Sequence, residues 1–196
     1  MKIKQYGVWA GVVTLAAVSL LCVPGAPAAP AKRAAAAEQS APAVTANPNE
    51  GFLRTWKDIS GRLVEMAEDF PEDKYDFKPT PEVRSFSEAM LHVTGSIYYW
   101  KAALAGRAMQ GEEEPKRASF KSKAEIVAYA KKAVADGTAM LETADFSKPF
   151  QGPRRMVNPY AFWSDFCEHA GEHYGQLVVY YRLNGIVPPA SRPKKK

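Results

Sequence analysis

The 196-residue chain is poor in the side chains that build cross-links and metal cages: it has two cysteines and three histidines. Cys22 and Cys167 alone exclude a disulfide framework and any cysteine-rich zinc module. No alternating apolar run bounded by hairpin turn signals occurs, so strands are not needed to account for the sequence. Cationic clustering on the body is also lacking. The formal charge is +5, but Lys2, Lys4, Lys32, Arg33, Arg192 and Lys194 to Lys196 lie at the two ends. Between Asn49 and Ser191 there remain 18 basic and 20 acidic residues. A nearly neutral body has no footprint for nucleic acid, and that partner class is set aside. Hydrophobic residues, at 46%, are ample for a core.

The N-terminus carries Lys2 and Lys4, an apolar run from Val8 to Val23, then Pro24 and Ala26-Pro27-Ala28. A charged start, an apolar middle and a small-residue end read as a secretory signal peptide over residues 1–28, cleaved after Ala28. The run falls short of the ~20 residues of a comfortable membrane span, so an uncleaved leader is the only route to a membrane. Leu21 before Cys22 is too bulky for a lipoprotein signal. Residues 29–48 are Ala/Pro-rich and aperiodic and read as a disordered linker. The protein is therefore expected to be exported, periplasmic or extracellular.

The body, residues 49–191, reads as four amphipathic helices, with residues 192–196 as a basic tail. Phe52, Trp56, Ile59, Leu63, Met66 and Phe70 share one face of a helix from about Asn49 to Phe70, stopped by Pro71. Ser85 and Glu88 form a capping box ahead of Phe86, Met90, Val93, Ile97, Trp100 and Leu104, with Gly106 as the stop. Ser122 and Glu125 repeat the box before Val127, Ala130, Val134 and Leu141. That stripe is weak, and Gly137 lowers helix propensity by ~1 kcal/mol relative to alanine. Asn158-Pro159 starts a fourth helix through Phe162, Phe166, His169, His173, Leu177 and Tyr180, ending at Asn184-Gly185. Four such stripes cover one another in an all-α four-helix bundle. The connections from Pro71 to Arg84 and from Arg107 to Lys121 are long enough to be functional rims.

His169 and His173 lie four apart on one helix face, close enough to bind one ion. His92 stands beside the main stripe of the second helix, in line with Ala89, Ser96, Tyr99 and Ala103. If the second and fourth helices are neighbours, the three rings converge into a set with an open coordination position, the arrangement of a catalytic site. One divalent ion is expected; Zn, Ni and Fe all suit imidazole, and ligand type does not choose among them. His169 to His173 also matches H-x-x-E-H, the inverted zinc-protease motif. That motif needs a downstream carboxylate ligand, and no Asp or Glu follows Glu172.

From about Phe52 to Pro193 the chain resembles the DinB-like (DinB/YfiT) superfamily. The stretch from His169-Ala-Gly-Glu-His173 through Gln176, Arg182 and Gly185 to Pro188-Pro189 carries the resemblance, with Leu91-His92-Val93. The resemblance implies a DinB/YfiT-like four-helix bundle in which His92, His169 and His173 bind one divalent metal. Many relatives carry arginine before the Gly-Gln pair, where this chain has Tyr174. The family includes thiol-dependent S-transferases and isomerases.

No catalytic residue is assigned. Glu172 could reach a metal-bound water as a base, but a solvated role is the more common one for such a residue. Cys167 reads as a small buried hydrophobe. Tyr98, Tyr99, Trp100, Tyr180 and Tyr181 could wall a pocket, though core packing explains most of them. Glu112, Glu113 and Glu114 read as a solvated loop. The expectation is an exported metal-dependent hydrolase acting on a small-molecule substrate. The alternatives are a thiol S-transferase and a non-catalytic module that binds metal or a small ligand. A homodimer is compatible with such a bundle, and no face is singled out for it.

Overall fold

The computed structural model describes residues 48–108 and 114–193. The expected leader and all of the linker before Pro48 lie outside the described residues, as do Glu112, Glu113 and the lysines of the tail. Four helices dominate: α1 (Pro48–Asp69), α2 (Phe86–Leu104), α3 (Lys123–Glu142) and α4 (Pro159–Leu183). Among the described residues no helix is long and apolar enough to cross a membrane.

The helix ends follow the sequence signals. Ser85 accepts from the Glu88 amide while the Glu88 carboxylate takes the Ser85 amide, a complete capping box. Asn158 accepts from the amides of Tyr160 and Ala161 ahead of α4. Gly106 and Gly185 take φ of 70° and 69°, the left-handed conformation that ends α2 and α4. At α3 only half of the expected box forms. Ser122 accepts from the Glu125 amide, but the Glu125 carboxylate takes the amide of Lys121.

α3 and α4 each pack against both α1 and α2, which leaves α1 opposite α2 and α3 opposite α4. The directions follow from side-chain pairs. Trp56 meets Phe166 and Phe70 meets Tyr181, so α1 and α4 run parallel. Phe86 meets Tyr180 and Trp100 meets Phe162, so α2 and α4 are antiparallel. Asn49 reaches Ala144, and Lys123 reaches the Phe70 carbonyl, so α3 is antiparallel to α1 and parallel to α2. After α2 the chain must therefore return the length of that helix, about 28 Å for its 19 residues, before α3 begins. The long connection is a crossover.

The core has two aromatic ends. Phe70, Tyr75, Phe86, Tyr180 and Tyr181 fill one, with Phe70 and Phe86 stacked at 3.9 Å between ring centroids. Trp56, Phe162, Trp163 and Phe166 fill the other. Two expectations are corrected. The buried line of α3 is Ile126, Ala130, Ala133, Gly137 and Leu141 rather than one through Val127 and Val134, which are half-buried. A stripe of small residues has little hydrophobic signal, so the larger valines drew the assignment. Strands also occur: β1 (Phe150–Gln151) pairs antiparallel with β2 (Met156–Val157), in register Phe150 to Val157. Two residues are too few to show alternation.

Candidate metal centre

His92 of α2 and His169 and His173 of α4 meet on the seam between those helices. Ring centroids stand 4.6 Å apart for His169 and His173, 4.8 Å for His92 and His173, and 5.4 Å for His92 and His169. One nitrogen from each ring lies within 4.8 Å of the others. The condition set by the sequence, that the second and fourth helices be neighbours, is met. The rings are half-buried at the edge of the core stripe of α4, not at its centre, where Phe166, Ala170 and Leu177 point inward. A site at the seam keeps one side toward solvent.

Two rings are already oriented. His92 Nδ1 lies 2.9 Å from Glu114 Oε1, and His173 Nδ1 lies 2.8 Å from Gln176 Oε1. Both oxygens are acceptors, so each Nδ1 is the donor and each Nε2 is the nitrogen left to face a ligand. The third ring supplies the test of fit. His169 Nε2 is buried and has no hydrogen-bond partner. An orphaned polar atom of this kind costs about 1–3 kcal/mol, and a cation held by the trio would satisfy it. Burial, and then the neighbouring His173 and His92, push His169 down to about 4; burial also lowers His92, against the hydrogen bond to Glu114. These two rings are neutral at pH 7, the form that ligates metal.

A cleft of about 750 Å³ lies on the side of the crossover; no histidine lines it, but Glu114 and Gln176, the partners of His92 and His173, do. Arg84, Glu114 and Gln176 line it, with Lys78, Lys116 and Arg117 farther out. Its charges are largely paired: Lys78 with Glu88 at 3.0 Å, Arg84 with Glu114 at 3.4 Å, and Arg117 with Asp76 at 2.8 Å. A second groove of about 480 Å³, walled by Tyr99, Trp100, Met156 and Phe162, lies farther down the α2–α4 seam.

The other candidates fare differently. Glu172 is exposed, and its carboxylate bonds neither histidine. Cys167 is buried, and burial pushes its thiol up to about 11. The aromatic group does not form one wall: Tyr180 and Tyr181 belong to the core, Tyr98 bonds Asp136 on α3, and Tyr99 is 49% exposed at the groove. Tyr174 lies under the Arg62 guanidinium, 5.8 Å from the ring centroid. Sequence reasoning missed Glu114, read as a solvated loop residue, and Gln176. The spacing of three from His173 was the available signal for Gln176; nothing local marked Glu114.

The family model of the DinB superfamily matches residues 54–177, more than half of the chain, and the protein belongs to that superfamily. Two solved structures share the fold. A DinB-like protein from Bacillus subtilis is 20% identical, with a TM-score of 0.58 over 73% of this chain and 99% of that one. A DinB-like protein from Bacillus cereus is 17% identical, with a TM-score of 0.60 over 71% of this chain and 95% of that one. No functionally curated protein matches.

Proposed function

We propose that this DinB-superfamily protein binds one divalent ion, Zn, Ni or Fe, through His92, His169 and His173 and acts as a metal-dependent hydrolase outside the cytoplasm. The observation that carries the reading is the buried, unpartnered Nε2 of His169 at the meeting point of the three rings. A buried imidazole nitrogen without a partner persists where a ligand completes it.

When bound, such an ion lowers the pKa of a coordinated water toward neutrality and polarises an acyl or phosphoryl oxygen. The chain's own residues hold the site. Glu114 and Gln176 fix the rings of His92 and His173, Phe166 and Leu177 keep the α4 side dry, and the cleft on the crossover side receives the substrate. Three protein ligands leave a coordination position for water or substrate, which supports a reaction over a closed structural site. Export rests on the three-part leader, and it favours hydrolysis over transfer from a cytoplasmic thiol.

The test is a panel of ester, amide and phosphate substrates offered to the Zn-loaded protein and to its His173→Ala variant. Turnover of one class that disappears in the variant is expected. Consumption of a thiol in place of hydrolysis would make the protein an S-transferase. Metal binding without turnover of any class would make it a binding module.

A further inference from the structure

We infer that Glu114 is a positioning residue of the metal centre, seated on His92 by the close approach of the crossover to α2. The inference rests on the metal-binding reading above. Glu114 stands 22 residues beyond His92 in sequence, on the segment that returns along α2. Its Oε1 accepts from His92 Nδ1 at 2.9 Å. That bond fixes the ring and its tautomer and leaves Nε2 as the ligating atom. A carboxylate behind a ligating imidazole also raises its basicity. Glu114 is thereby excluded as a ligand through this contact, because it occupies the nitrogen that the ion does not use.

The seat is built into the fold by the residues that follow Glu114 and by Arg84. The next residue, Pro115, lies on Gly95, one turn beyond His92 on α2. A side-chain carbon added to Gly95 would stand 2.6 Å from Pro115 Cδ and 2.9 Å from Pro115 Cγ. Only glycine lets the crossover come this near. The same Glu114 oxygen faces Arg84 at 3.4 Å. Three residues beyond Glu114, Arg117 grips both oxygens of Asp76, at 2.8 and 3.1 Å, and the Phe120 carbonyl at 2.6 Å. The histidines are held unequally. His173 has the neutral amide of Gln176 behind it, whereas His92 has a carboxylate, and a hydrogen bond to a charged acceptor is the stronger kind.

The experiment is Zn²⁺ affinity, measured on the metal-free full-length chain by competition with a chromophoric chelator. The proteins are wild type, Glu114→Ala, Glu114→Gln, Gly95→Ala and Glu82→Ala. Glu82 lines the same cleft and bonds no histidine. Glu114→Ala is expected to weaken binding by about 10- to 100-fold, the usual effect of losing a partner behind a metal ligand. Glu114→Gln keeps an acceptor oxygen and should lose less. Gly95→Ala, which pushes Pro115 away, should resemble Glu114→Ala. Glu82→Ala should match wild type. Melting of each metal-free variant separates a folding defect from a loss of affinity, and Glu114→Ala carries the test if Gly95→Ala does not fold. Affinity of Glu114→Ala within about twofold of wild type, against the tenfold floor expected for such a partner, would overturn the inference and leave the metal site standing. An equal loss in Glu82→Ala would do the same, because it would show a general charge effect. Wild type that binds no Zn²⁺ would overturn both.

Discussion

Gly137 of α3 and Trp56 of α1 meet so closely that a side-chain carbon on the glycine would stand 2.9 Å from Trp56 Cζ2. The indole cannot move aside freely, because its Nε1 donates to Thr138 Oγ1 at 3.0 Å. Ile97 and Phe166 close the other sides, each 3.3 Å from the same point. Gly137→Ala gains ~1 kcal/mol of helix propensity and overpacks the core at a cost of about 1–3 kcal/mol. A net loss of roughly 1 kcal/mol is expected from these opposing terms. Gly61 of α1 has nothing within 4 Å of the corresponding point. Gly61→Ala should therefore stabilise by up to about 1 kcal/mol. Thermal melting of the two variants beside wild type checks the opposite signs.

The glycine shows how the sequence was legible and where it stopped being so. Four helices could be read because their caps and stops are local: Ser85 with Glu88, Asn158 with Pro159, and Gly106 and Gly185 all sit where their signals lie. The face of α3 could be read only in part: Ala130 and Leu141 are buried as expected, but alanine and glycine at a helix contact carry almost no hydrophobic contrast, and Val127 and Val134 stand beside the line. His92, His169 and His173 were legible as a group, two by their spacing and the third as the only histidine left. Glu114 was not. Its role depends on α3 running parallel to α2, a topological fact that turns the connection into a crossover, and no residue in the loop announces it.

His169 should trade stability against metal. In the metal-free protein its Nε2 is buried and unpartnered. Replacing it with leucine removes that orphan, so metal-free His169→Leu is expected to be as stable as metal-free wild type or more stable, by up to about 1–3 kcal/mol. Added Zn²⁺ should raise the melting temperature of wild type and leave that of the variant unchanged. Chemical denaturation with and without the ion measures both effects.

Acid should loosen the clamp beneath the crossover. The Arg117 guanidinium, aided by the Ser87 hydroxyl, holds Asp76 below the usual carboxylate range. The folded pKa lies below the unfolded one, so the stabilisation is fully present above about pH 4 to 5 and is lost as pH falls through the folded value. Asp76 is largely exposed, which limits the effect to about 1 kcal/mol or less. Urea midpoints of wild type and Asp76→Asn should differ by a constant amount at neutral pH and converge below about pH 4.

Cys167 should be inert in the folded protein. Its thiol, pushed up to about 11 by burial, stays protonated at pH 8. Iodoacetamide at that pH should leave the peptide containing Cys167 unmodified under native conditions and label it fully in denaturant, read by mass spectrometry.

The most direct test of the metal centre is elemental analysis of protein purified without a metal-affinity tag, for wild type, His92→Ala and His173→Ala. A site shared by His92, His169 and His173 should give close to one divalent ion per chain in wild type and loss of it in both variants, because ligands from two helices hold one ion. Wild type with no stoichiometric metal, or a His92→Ala variant that keeps a full complement, would contradict the shared site.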